Sequence, residues 1–551
     1  MSRGDPHSPA GIAVEQVGRY ESGQFDEDAA EIVAHDPAID DLFVVNAEAG
    51  GVDVLDVDDP TEPRKVGALV PGKGWEDAGE VTNVALSAGV LAVAVGAVDP
   101  HEDGRVLFYD AAERAHLGGV AVGPTPDMVA FTDDEYALVA CAGEPGDGYA
   151  GDRGDRNGDP GEAGDDGGRN VDGDRDDRGE FPRGAVAIVD LSDGAAAATS
   201  EVVDFAAFDG REDELRERGV RITAPGATFS EDAEPEYLAV GRDGERAYAV
   251  LQPNNAVAVL DVAAAEWIAV HPLGYKDYSS TGNELDASDV DRITIRNWPL
   301  HGMYQPDAIV SYETGGEEYL VTANEGAMRA FETTTVADLD LDPAAFDLED
   351  VAGVDSIADL QRPEHLGNLK VTTERGDVDG DGQHEELYAF GGRSFSIWTT
   401  EGERVFDSGG DFEYLVAMHH PEYFNVDGLY NEPFVRSTEK GPEPEGVDVG
   451  QVGERHYAFV GLERVSGLVV YDVTDPRDAT FVQYVSERDF DVDPVPEIAE
   501  GPGDASDAGD LGPEGVTFVP AAESPGETAL VVVGNELSGT TTLFAVHPAG
   551  G

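Results

Sequence analysis

The chain has 551 residues, 40% of them hydrophobic, and sets 114 Asp and Glu against 34 Lys and Arg, a formal charge of −80. No basic stripe exists to neutralise phosphates, which disfavours nucleic acid and anionic membranes as partners. Only five lysines occur (Lys65, Lys73, Lys276, Lys370, Lys440), and self-repulsion on this scale is tolerable where salt shortens the Debye length to about 3 Å, as in a halophile.

The N-terminus, MSRGDPHSPAGIAVEQ, has no apolar signal core, and no run of eighteen apolar residues follows. The chain as given is therefore expected to be soluble, without a transmembrane segment, and to lack an export signal. Cys141 is the single cysteine, so no internal disulfide can form. The first strand, GIAVEQVGRY, has no partner nearby in sequence.

From there the chain alternates short strands with turns. Five times a proline and a carboxylate introduce a strand: Pro126-Asp127, Pro235-Glu236, Pro306-Asp307, Pro444-Glu445 and Pro513-Glu514. A second strand follows each. Eight such second strands read off the sequence, ending at Asn46, Gly96, Cys141, Gln252, Asn324, Gly392, Leu462 and Asn535. Third strands close on Asp190, Asp261 and Asp472, and fourth strands show as KVGALV and TFVQYV. Repetition of this kind predicts an all-β fold, a β-propeller of seven or eight blades, with eight favoured by the strand count. The last unit lacks a fourth strand, and residues 12–20 are expected to supply it, because a ring left open would expose two bare edges. One propeller domain over 11–547 results. Its rhythm is broken at 146–183, a Gly/Asp/Arg-rich insertion, and at 275–300 and 325–369, which read as loop or helix.

Two constellations point to chemistry. In GDVDGDGQHEE, Asp377, Asp379 and Asp381 alternate, Gly382 permits a sharp turn and Glu385 follows. Ca²⁺ takes six to eight oxygens, and this spacing wraps carboxylates around it with the Gln383 carbonyl as a further ligand. Weaker imitations are Asp172, Asp174 and Asp176, and the group Asn283, Asp286, Asp289 and Asp291.

The second follows from topology. Antiparallel pairing places the start of a first strand beside the end of a second strand, and first strands line the channel of a propeller. Glu31, Asp127, Glu236, Asp307, Glu445 and Glu514 are thus expected to ring one channel mouth. Asn46 with Glu48, Asn324 with Glu325, Glu463 with Arg464, and Asn535 with Glu536 should lie just outside. Crowded carboxylates need cations, arginines or bound protons. Arg329, Arg393, Lys440 and Arg464 are candidate partners, and another divalent metal or a small polar ligand is a candidate guest. The alternative is that these groups only cap turns. HExxH, CxxC, GxSxG and P-loop motifs are missing, His419-His420 is the sole adjacent pair, and Ser288 has no base beside it.

The phrases GRYESGQFDEDAAEIVAHDP, YQPDAIVSY with TANEG, GRSFSIW, KGPEPEGV, GLERVSGLVVYDVTDP and GDLGPEGV with GNELSGTTT resemble the choice-of-anchor I family. The chain is similar also to mesenchyme-specific cell-surface glycoproteins and to proteins labelled atypical alkaline phosphatases. The resemblance spans roughly residues 18–546 and implies an extracellular or cell-envelope propeller, often calcium-associated. Two positions depart from the family pattern: Cys141 stands where that family carries Asn, and Ala327 where it carries Asp. Both remove polar atoms from the mouth. The resulting expectation is a calcium-associated, monomeric binding or scaffold protein whose partner is a small polar ligand or a surface protein. The alternatives are a metal-dependent phosphoesterase, with Arg393 and Arg464 clamping the anion, and an intracellular docking propeller.

Overall fold

A computed structural model describes residues 11–72, 75, 77–132, 135–143, 182–290, 292–349 and 351–548. Asp172, Asp174, Asp176, Asp291 and nearly all of the 146–183 insertion lie outside the described residues.

Among the described residues, alternating apolar residues pair into eight sheets. Seven are four-stranded antiparallel meanders, here blades 1 to 7 in chain order: 33–69, 78–124, 126–204, 235–272, 309–407, 444–485 and 513–548. Their first strands pack in sequence around a ring, and that of blade 7 meets that of blade 1. Each junction between blades has its own apolar cluster, such as Phe459, Val531 and Phe544 between blades 6 and 7. The orphan strand Ile12–Glu21 pairs antiparallel with Thr540–Pro548, as the fourth strand of blade 7. The free edge of Thr540–Pro548 is thereby covered. No described helix is long and apolar enough to cross a membrane.

The eighth sheet has five strands, in the order Tyr275–Asp277, His301–Met303, Tyr388–Ala389, Lys370–Thr372 and Thr333–Thr335. The insertions 275–300 and 325–369 thus merge into one module with a core that includes Trp298, Leu300, Leu366 and Leu387. The strand count of eight maps onto these eight sheets, with one refinement. The segment ending at Gly392 supplies a central strand of the five-stranded sheet, where Tyr388–Ala389 runs parallel to His301–Met303. Ser394–Thr399 then returns to blade 5 and pairs with Glu317–Asn324. Lys276 locks the module to blade 5, its Nζ donating to the carbonyls of Gly392 (2.9 Å) and Gly409 (2.6 Å) and pairing with Asp407 Oδ1 at 3.1 Å.

Candidate functional site: the acidic mouth of the channel

Proline begins an inner strand without wasting a ladder donor, since it has no N–H. In blades 3, 4, 6 and 7 the register then shifts just after the Pro-Asp/Glu pair, between Pro126 and Met128, Pro235 and Leu238, Pro444 and Val447, and Pro513 and Val516. Such a bulge leaves the carboxylate residue out of the ladder. Glycine then brings neighbouring blades together. A Cβ on Gly446 would sit 2.1 Å from the Glu514 carbonyl, and one on Gly515 would sit 2.6 Å from that of Glu31. Only glycine permits so close an approach, and it draws Glu445, Glu514 and Glu31 to one place.

The structure brings together Glu31, Asp307, Glu325, Glu445, Glu463, Glu514 and Glu536, each near enough to its neighbours to perturb their ionisation. Burial raises Asp307 to about 6, with Glu463 adding to the rise. Burial likewise raises Glu463 to about 7 and Glu325 to about 8, although Arg464 and Lys440 oppose these shifts. Glu445 and Glu514 are pushed well above the ordinary carboxylate range, by burial first and then by other carboxylates.

One half of this arc carries its own cations. The Lys440 ammonium pairs with Glu325, lies 3.2 Å from Glu443 Oε2 and donates to the Gly326 carbonyl at 3.1 Å. Gln252 Nε2 donates to the other Glu325 oxygen at 2.9 Å. Glu443 also meets Arg436 (2.6 Å, Nε to Oε1) and Arg464 (3.3 Å, Nε to Oε2). Three cations outweigh its burial and hold Glu443 well below the usual range. Arg464 pairs in addition with Glu463 Oε1 at 3.0 Å. Glu443, Arg436 and Gln252 were missed from the sequence, though the phrase Glu443-Pro444-Glu445 already placed carboxylates on both sides of one proline.

Other expected members have different work. Asn324 accepts from Thr322 Oγ1 (2.8 Å) and donates to Ser396 Oγ (2.8 Å), and Asn535 donates to the carbonyl and hydroxyl of Thr540 (3.2 Å each). These are turn-fixing bonds inside a blade. Arg393 is a correction. Its guanidinium is buried and donates to Glu413 Oε1 (2.7 Å) and to the carbonyls of Asp286, Ser437 and Glu439. Those partners engage both terminal nitrogens, as a buried guanidinium must be satisfied locally. Arg329 is likewise committed to Asp232 (2.7 Å) and Glu234. Asp127 and Glu236 occupy equivalent strand starts in blades 3 and 4, and Asp127 acts electrostatically on Cys141.

In the 377–385 loop, carboxylate oxygens of Asp377, Asp379 and Glu385 lie within 4.8 Å of one another. Asp381 stands apart from that trio and accepts from the Gln383 N–H at 2.9 Å, while the Gln383 side chain donates to Asp340 at 3.0 Å. The Asn283 group disperses: Asn283 donates to the Asp277 carbonyl (2.8 Å), Asp286 accepts from the Ser288 N–H (3.0 Å), and Asp289 accepts from Asn368.

A model of the choice-of-anchor I domain matches residues 31–476. Gigasin-3a of Magallana gigas is 32% identical over 201 residues, 35% of this chain and 68% of that protein. A mesenchyme-specific cell surface glycoprotein of Strongylocentrotus purpuratus is 28% identical over 299 residues, 48% of this chain and 38% of its own length, so the chain spans well under half of that relative. Among solved structures, the WD40 domain from Toxoplasma gondii coronin is similar over 98% of this chain and 87% of that one, at 8% identity and a TM-score of 0.43.

Proposed function

We propose, from the premise that this chain belongs to the choice-of-anchor I family, that it is a calcium-stabilised binding scaffold of the cell surface or exterior. The surface assignment is supported by the name of the sea-urchin relative. The observation that carries calcium association is the 377–385 loop. There three carboxylates converge, and the backbone curls around Asp377, whose Oδ1 accepts from Gly380 N (2.7 Å) and whose Oδ2 accepts from Gly382 N (3.0 Å). Hard oxygen ligands alone suit Ca²⁺.

Binding is favoured over phosphoester hydrolysis by the state of the cationic side chains. Arg393, Arg436, Lys440 and Arg464 are each paired with protein carboxylates, so an incoming phosphate would meet an acidic mouth and occupied guanidinium groups. The test combines antibody labelling of intact and lysed cells with a screen of phosphomonoesters and diesters. Labelling of intact cells without phosphate release is the expected result. Metal-dependent release that disappears in Glu445→Gln with Glu514→Gln would replace this reading by the phosphoesterase.

A further inference from the structure

We propose that the Lys276 amine and the Asp407 carboxyl condense, with loss of one water, into an isopeptide bond that joins the five-stranded module covalently to blade 5. Lys276 stands on Tyr275–Asp277, an edge strand of the module, and Asp407 ends Arg404–Asp407, the outer strand of blade 5. The bond depends neither on the calcium loop nor on the channel mouth.

The two reacting groups are in contact and out of water. The Lys276 side chain is 0% exposed, that of Asp407 is 9% exposed, and Nζ lies 3.1 Å from Oδ1. A surface lysine keeps its hydration and its proton, whereas burial pulls this ammonium below the ordinary lysine range, against the opposing field of Asp407. Two charges removed from water carry a desolvation penalty, and conversion of the pair into a neutral amide removes it. Holding amine and carboxyl in contact also supplies the entropy that a bimolecular condensation lacks. The buried Lys440–Glu325 pair differs, because Lys440 also neutralises Glu443. Condensation there would strip Glu443 of a cation.

The carboxyl is held as an electrophile. Ser394 and Ser396 donate their hydroxyls to Asp407 Oδ2 (2.7 and 2.8 Å), and the Gly409 N–H donates to Oδ1 (3.0 Å). One proton passes from the ammonium to Oδ1, leaving a neutral amine beside a carboxylic acid. The nitrogen lone pair attacks Cγ, and the negative charge that develops on Oδ2 falls on the two serine hydroxyls, already placed as an oxyanion hole. The Cγ–Oδ1 bond then breaks with its electron pair, and Oδ1 takes a second proton from the nitrogen and departs as water. The amide keeps one N–H, with the carbonyls of Gly392 (2.9 Å) and Gly409 (2.6 Å) as acceptors beside it. Atoms and charge balance without an oxidant, a reductant or a cofactor.

Mass spectrometry of the full chain, folded in high KCl and then denatured, tests this. The expected intact mass is that of the sequence less one water. A tryptic digest should contain a branched peptide that joins the segments around Lys276 and Asp407, with cleavage after Lys276 suppressed. Lys276→Met and Asp407→Ala should each carry the full mass of their own sequences. A parent protein at full sequence mass, a water-deficient parent without the branched peptide, or the same deficit persisting in either variant would each overturn the proposal. Should a variant fail to fold, the mass and the branched peptide of the parent protein decide alone.

Discussion

Replacing Ile12 and Val14 together by alanine should open the closing seam. Both side chains are 2% exposed and pack with Phe459, Val531 and Phe544 between blades 6 and 7. Blade 6 grips the same strand from its outer edge: the Gln483 amide accepts from the Val14 N–H at 2.9 Å and donates to the Val14 carbonyl at 2.8 Å. Burying an aliphatic side chain of this size is worth about 1.5–3 kcal/mol, and truncating it in a rigid core adds a cavity cost. The pair should therefore lose about 4–6 kcal/mol, against a total of about 5–15 kcal/mol for an ordinary domain. Urea unfolding at fixed high KCl, followed by circular dichroism and tryptophan emission, measures the loss. Glu15→Ala on the exposed face of the same strand is the control and should stay within about 0.5 kcal/mol. A double variant that loses less than about 1 kcal/mol would refute closure by this strand as a source of stability.

Stability of the chelated protein should fall as the pH rises from about 6.5 to 8.5. Burial holds the folded-state carboxylates above their unfolded values (Glu463 to about 7, Glu325 to about 8, Glu445 and Glu514 higher). The folded state thus keeps protons that the unfolded chain has released, and the stability present at low pH is lost through that window at about 1.4 kcal/mol per pH unit per proton. His420, lowered by burial to about 4, acts in the opposite sense but only below about 6.5; a flat or rising urea midpoint across the window would contradict the assignment. Lys440→Met should cost about 3–5 kcal/mol, because it strips Glu325 and Glu443 of a shared cation in a buried site, and thermal melting would register this as a large drop. Calcium at about a hundredfold over Kd should add about 2.7 kcal/mol through the 377–385 loop, an increment that Asp379→Ala removes; a parent protein whose melting ignores chelator would discard the loop as a structural site. Lowering KCl should expand or unfold a chain of −80, since screening is what contains its repulsion, and cooperative melting in dilute buffer without divalent cations would argue against salt adaptation.

Period-two apolar patterning and the recurring Pro-Asp/Glu phrase sufficed to read the propeller, the closing role of the N-terminal strand and the convergence of Asp307, Glu445 and Glu514 on one mouth. These are consequences of local chemistry repeated at a fixed interval: a residue at the start of every inner strand must face the axis once the ring closes. The five-stranded sheet was not legible, because its short strands come from segments far apart in the chain and Tyr388–Ala389 joins His301–Met303 in parallel, a pairing that no hairpin signal announces. Partner choice among charges was equally hidden. Arg393, Lys440 and Arg464 look alike in sequence, yet Arg393 is spent on Glu413 while Lys440 and Arg464 serve Glu325, Glu443 and Glu463. Which carboxylates pair with a cation depends on ångström-scale distances between side chains from different blades. Patterning along one strand carries no information about those distances, so the packing of the ring decides them.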